Sequence, residues 1–154
     1  MNSSALPWLS LSIALLALAI NGWTFVDRRR IDRRDLFMKL HEAMLEPDLQ
    51  RGRMILYRQC GSKQAVEKMA VDGIESFLLA NRALAMFDLM ARYVETGHID
   101  REDAMEEWAY STSNLYVKAE HFLAYRSAEA GRRAWTNFVD FAEAAAVWRE
   151  RNPR

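Results

Sequence analysis

Little in this chain is built for turns, strands or cross-links. Cys60 is the only cysteine, which excludes an intramolecular disulfide and any metal site made of several cysteines. It reads as a small apolar filler in a reducing compartment. Six glycines and three prolines leave little loop material. Neither Gly-x-Gly-x-x-Gly nor Gly-Lys-Ser/Thr occurs, so a glycine-rich phosphate loop is excluded. Strand-forming runs of Val, Ile and Thr are also missing, while Ala, Leu, Met, Glu and Arg are plentiful, which points to an all-α fold. Lys and Arg number 21 and Asp and Glu 21, so no basic excess suits a nucleic acid.

Catalytic signatures are equally sparse. The histidines His41, His98 and His121 lie far apart, and no His-Glu-x-x-His exists for a zinc protease. Glu95-Thr96-Gly97-His98 matches half of a di-iron pair, but Gly97 puts it at a helix end and no second copy follows. The paired carboxylates Asp72/Glu75 and Glu106/Glu107 sit on arginine-rich helices, where they read as solvated or ion-paired rather than as acid–base pairs. No enzyme activity, cofactor or metal is therefore expected.

What is present begins with Leu6–Val26, a stretch without a charged side chain. As a helix at 1.5 Å per residue it measures about 31 Å, the thickness of a bilayer core. Trp8 lies near one end and Trp23 with Phe25 near the other, where interfacial aromatics are expected. Residues 27–34 follow with five Arg against two Asp, and the seven residues Met1–Pro7 carry no charged side chain. The positive-inside rule then puts the N-terminus outside and the following domain in the cytoplasm. Ala17-Leu18-Ala19 has the form of a signal-peptide cleavage site, but such a peptide has its positive charge before the apolar run, not after it. The expectation is a single transmembrane helix in a bacterial inner membrane. Ser10, Ala14, Ala17, Asn21 and Thr24 form one stripe of small and polar residues, suited to packing on another membrane helix or its own copy. Arg28, Arg29, Arg30, Arg33 and Arg34 are expected to fix topology and to touch anionic headgroups.

The expected organisation is a tail over 1–5, the membrane helix over 6–26, a basic arm and juxtamembrane helix over 27–46, an antiparallel helical bundle over 47–150 and a tail over 151–154. Pro47 and Asp48 start one helix, which Gly61 ends. Ser62 caps the next. Val66, Ala70, Gly73, Phe77, Ala80, Leu84, Phe87, Ala91 and Val94 follow 4-3-4-3 spacing, which predicts one long central helix over 63–96. Gly97 closes it, and Asp100 caps a helix over 101–125. That helix carries Met105, Trp108, Thr112, Leu115, Ala119 and Phe122 on one face. The poor helix formers Ser111-Thr112-Ser113-Asn114 mark a bend or a polar patch within it. The last helix is predicted over 132–150, with Ala134, Phe138, Phe141, Ala145 and Trp148 inward. Arg126, Arg132 and Arg133 cluster near a helix junction, as an anion site or as salt-bridge partners.

The order of features resembles a known family. The residues that carry it are Arg82, Phe87-Asp88, Ala91, Gly97-His98-Ile99-Asp100, Trp108, Phe122-Leu123-Ala124-Tyr125-Arg126, and Trp135 with Phe138. The pattern resembles an uncharacterised family of small bacterial one-pass membrane proteins whose helical domain has no assigned function. The resemblance implies a helical fold and a bacterial origin, and it transfers no site residue. The expected function is that of a membrane-anchored interaction protein, an accessory subunit or assembly factor of a larger membrane complex. Its partners would be the bilayer and another membrane protein or its own copy, with no nucleic acid. The alternative is a membrane-bound sensor holding a small ligand in the bundle, near Ser111–Asn114.

Overall fold

The computed structural model describes Leu18 and residues 33–153. The chain divides into two units, Met1–Leu36 and Phe37–Arg154. All described elements are helices. Residues 33–44 form α1, of which 37–44 belong to the second unit. The second unit continues with α2 (Pro47–Gln59), α3 (Lys63–Asp72), α4 (Ile74–Glu95), α5 (Arg101–Lys118), α6 (Glu120–Ala130) and α7 (Thr136–Arg151).

The membrane-spanning part of the expected fold is corrected. Among the described residues no helix is long and apolar enough to cross a membrane. The single-pass architecture and the inner-membrane location inferred from it are therefore not retained. Of the stretch 6–26 only Leu18 is described, as helical and exposed. The stripe Ser10, Ala14, Ala17, Asn21 and Thr24 lies outside the described residues, as do Arg28, Arg29 and Arg30. Arg33 and Arg34 are helical and exposed.

Local chemistry starts and stops the helices of the second unit. Pro47 opens α2, where its missing N–H costs nothing. The Ser62 hydroxyl accepts from the Ala65 N–H at 3.2 Å and caps α3. Asp100 Oδ1 accepts from the N–H groups of Glu102 and Asp103, at 2.8 and 3.3 Å, and caps α5. Gly97 and Gly131 take the left-handed conformation (φ 72° and 62°) that a residue with a Cβ adopts only at a cost.

The expected long helix over 63–96 is two helices. Gly73 ends α3, its N–H bonding to the Met69 carbonyl at 3.0 Å, and α4 starts at the next residue. The apolar stripe survives the break: Val66, Phe77, Ala80, Leu84, Phe87, Ala91 and Val94 are all buried. The redirection lets α3 pack on α6 as well as on α4. The second expected helix also divides, at Ala119 rather than at Ser111–Asn114. The last helix starts at Thr136, four residues later than predicted, because a turn fills 131–135.

Two antiparallel pairs make the core. In the first, α2 runs against α4. Arg82 reaches Glu46 and Asp48, each at 3.4 Å, and Gly52 packs onto the backbone of Leu79. In the second, α5 runs against α7. Tyr116 stands beside Phe138 and Glu143, and Arg149 lies over Tyr110. Phe87 meets Phe138 edge-on at 5.9 Å and joins the two pairs. Phe77 of α4 packs on Phe122 and Tyr125 of α6, and Phe37 of α1 stacks on Trp108 of α5 at 4.7 Å. Phe122 and Phe138 are fully buried, each worth about 1.5–3 kcal/mol of apolar transfer.

Candidate functional site

Three places in the second unit bear on function. The first is an apolar surface at the α3–α4 break. Val71, Ile74 and Leu78 are 81, 58 and 58% exposed. Ile74 and Leu78 are neighbours on one face of α4, four residues apart, and Val71 precedes them across Gly73. The carboxylates of Asp72 and Glu75 flank them, both exposed. Isolated exposed apolar residues are ordinary, but three within eight residues across a helix break offer an apolar surface.

The second place is the patch Ser111–Asn114. Two of its hydroxyls bond back to the helix: Ser111 donates to the Trp108 carbonyl at 3.1 Å and Ser113 to that of Ala109 at 2.8 Å, while the buried Thr112 Oγ1 has no hydrogen-bond partner among the described residues. Arg149 of α7 also reaches the patch. It donates to Ser113 Oγ at 2.7 Å and to Asn114 Oδ1 at 3.0 Å, with its guanidinium 4.0 Å from the centre of the Tyr110 ring. The patch is thus an anchoring point for α7.

The third place is the junction of α6 and α7. Gly131 turns the chain out of α6. Ser127 Oγ accepts from the Ala134 N–H at 3.0 Å and ties the turn back. Trp135 then takes a left-handed conformation (φ 54°, ψ 47°), which is strained for an aromatic residue. Trp135 offers no side-chain cap to α7. Asp88 of α4 supplies one instead: Oδ1 accepts from the Phe138 N–H at 2.9 Å and Oδ2 from Asn137 Nδ2 at 3.0 Å. The carboxylate satisfies an N–H at the positive end of the helix, as a local cap would.

Around this junction Asp88, Arg126, Arg132, Arg133, Trp135 and Asn137 line an open cleft of about 250 Å³. All three arginines grouped from the sequence are brought together here. Arg126 pairs with Glu129 on its own helix. Arg133 pairs with Asp140 at 2.9 Å and Glu143 at 3.2 Å. Arg132 is exposed and makes no ion pair among the described residues. The Trp135 indole N–H is buried without a hydrogen-bond partner. Three residues of the cleft were not singled out for it in the sequence: Asp88, Trp135 and Asn137. Asp88 is nearly fifty residues from its partners, so no local spacing marks it.

The remaining reactive groups are placed structurally. Cys60 is fully buried, and burial pushes its thiol pKa up to about 11, so it stays protonated at neutral pH. Burial also raises the Tyr57 phenol, with the nearby Arg53 guanidinium working against it. Burial raises Tyr116 too, and the Glu143 carboxylate adds to the effect. His98 is exposed beyond the end of α4, its Nδ1 2.7 Å from Thr96 Oγ1. His41 stands 3.5 Å from Glu107. Among the described residues no group of three or more His, Cys, Asp or Glu is arranged to hold a metal ion.

No curated protein and no solved structure matches this chain. A family model does match, over residues 11–145, and it is that of a domain of unknown function, DUF4760. The match covers the bundle from α1 into α7, including the capping Asp88 and the arginine-lined turn, and on this extent the chain belongs to the DUF4760 family.

Proposed function

We propose that this protein is a helical interaction module, an accessory subunit or assembly factor of a larger protein complex. The observation that carries the reading is the exposed face of Val71, Ile74 and Leu78 at the α3–α4 break. These side chains lose apolar area to water that a partner would recover, at roughly 25 cal/mol per Å² buried. Asp72 and Glu75 border the face, so the complementary surface is an apolar helix face edged by Lys or Arg. A bacterial origin, implied by the family resemblance, belongs to the same reading.

The test is site-specific crosslinking in the full chain. A photoreactive residue at position 78 is expected to give one defined adduct in the native cell, and the same residue at position 102, on α5, is expected to give none. Ile74→Asp should abolish the adduct. Identical adducts from both positions, or no adduct from position 78, would overturn the proposal. An adduct of twice the chain's own mass would make the partner a second copy.

In the sensor reading, a ligand near Ser111–Asn114 would meet Arg149, which bonds Ser113 and Asn114. The α6–α7 junction offers a small ligand a second seat.

A further inference from the structure

The lining of the cleft at the α6–α7 junction has the composition of an anion site. We infer that it binds a small phosphorylated anion, either inorganic phosphate or a compact phosphate monoester. This inference is independent of the docking face at Val71, Ile74 and Leu78.

Four observations carry it. First, Arg126, Arg132 and Arg133 line one cleft of about 250 Å³, a volume that suits a phosphoryl group with a small substituent. Guanidinium forks match phosphate oxygens in pairs, which an ammonium does not. Second, the one carboxylate in the lining is already committed. Both oxygens of Asp88 accept hydrogen bonds from the start of α7, so its charge is engaged with the helix terminus. Third, Arg132 has no counter-ion among the described residues, and a phosphate oxygen in the cleft would supply one. Fourth, the carboxylates that hold the other two arginines are the exposed Glu129, Asp140 and Glu143. Exposed pairs of this kind are weak, so a doubly charged anion displaces them at little cost, whereas a singly charged carboxylate would be a mere exchange.

The displaced side chains also say how binding would be felt. Arg133 bridges the turn to Asp140 and Glu143 within α7, and Arg126 with Glu129 sits on α6. An anion held by both arginines ties the two helices together across a turn that is otherwise fastened by the Ser127–Ala134 hydrogen bond.

The experiment uses the full chain with inorganic phosphate and with phenyl phosphate as probes, against sodium chloride at matched ionic strength. Calorimetric titration is paired with the NMR signal of the Trp135 indole N–H, assigned by Trp135→Phe. Saturable one-to-one binding is expected, with a shift of the Trp135 signal, because the ring lines the cleft. Arg132→Gln, which breaks no ion pair, is expected to weaken binding about tenfold or more, the scale of a lost hydrogen bond to a charged group. Lys118→Gln, on exposed surface at the end of α5, is expected to leave it unchanged. Binding of phosphate alone would assign the site to the free ion, and tighter binding of phenyl phosphate would assign it to a monoester. A response equal to that of chloride, or an unchanged affinity in Arg132→Gln, would overturn the inference. The unliganded melting temperature of Arg132→Gln, expected to match the parent's, separates loss of the site from loss of the fold.

Discussion

Single residues decide more here than their types suggest. Gly52 sits inside α2 facing α4, and a Cβ built on it would lie 2.2 Å from the Leu79 carbonyl oxygen and 3.0 Å from the Ala83 Cβ. The obstacle is backbone, which cannot step aside, so the helices must separate. Gly52→Ala is expected to destabilise the fold by about 1–3 kcal/mol despite the better helix propensity of alanine, and a denaturant melt measures it. Its role was not legible in the sequence: a lone glycine in a helical pattern carries no signal of what crosses it. Cys60 makes a second case. Burial favours its neutral thiol in the fold, raising the pKa from 9.0 to about 11. Between those values the unfolded chain has given up its proton while the folded chain keeps it. Stability is therefore full below pH 9 and falls as pH rises through about 11. Melts at pH 7, 9, 10 and 11 should show this fall reduced in Cys60→Ala, apart from a constant loss for the smaller side chain. Native Cys60 should also resist thiol reagents at pH 7 until the chain is unfolded.

At the scale of elements, the apolar stripes were readable because burial recurs at helical spacing whatever the helix does next. Val66 through Val94 and Met105 through Phe122 are buried as the periodicity requires, apart from Ala70 and Gly73, which are half-exposed. Helix ends were readable where a local group makes them, as at Ser62, Gly97 and Asp100. The breaks at Gly73 and Ala119 were not, since one residue of altered backbone leaves the count of the stripe intact. The start of α7 depends on a residue from another helix. Asp88→Ala removes that cap and leaves the Phe138 N–H unmet, which is expected to cost about 1–2 kcal/mol. Amide exchange should quicken first at residues 137–140, and Asp88→Asn, which keeps an acceptor oxygen, should recover part of the loss. Of the candidate cleft, the arginines were legible as a cluster about Gly131. Their companions Asp88, Trp135 and Asn137 became visible only with the packing of α4 on α7.

At the scale of the molecule, the two proposed surfaces are separate. The docking face and the arginine-lined cleft use different helices, α3–α4 for one and α6–α7 for the other. They should therefore respond to mutation separately. Ile74→Asp is expected to leave the melting temperature and phosphate binding nearly unchanged while abolishing the crosslink, because the side chain it alters is 58% exposed and stands on another helix than the cleft arginines. A loss of both activities in this one variant would mean that the two surfaces are coupled.

The trans cap on α7 bears on how such a chain is made. α7 leaves the ribosome after the other described helices, yet it packs on both α4 and α5, and Phe138 meets Phe87. While it is still in the tunnel, Asp88 has nothing to hold and the apolar sides of two finished helices face water. The nascent bundle cannot close progressively from its N-terminus. It must wait, partly open, for α7, so a chain released early, before Phe138, is a natural client for chaperones and proteases.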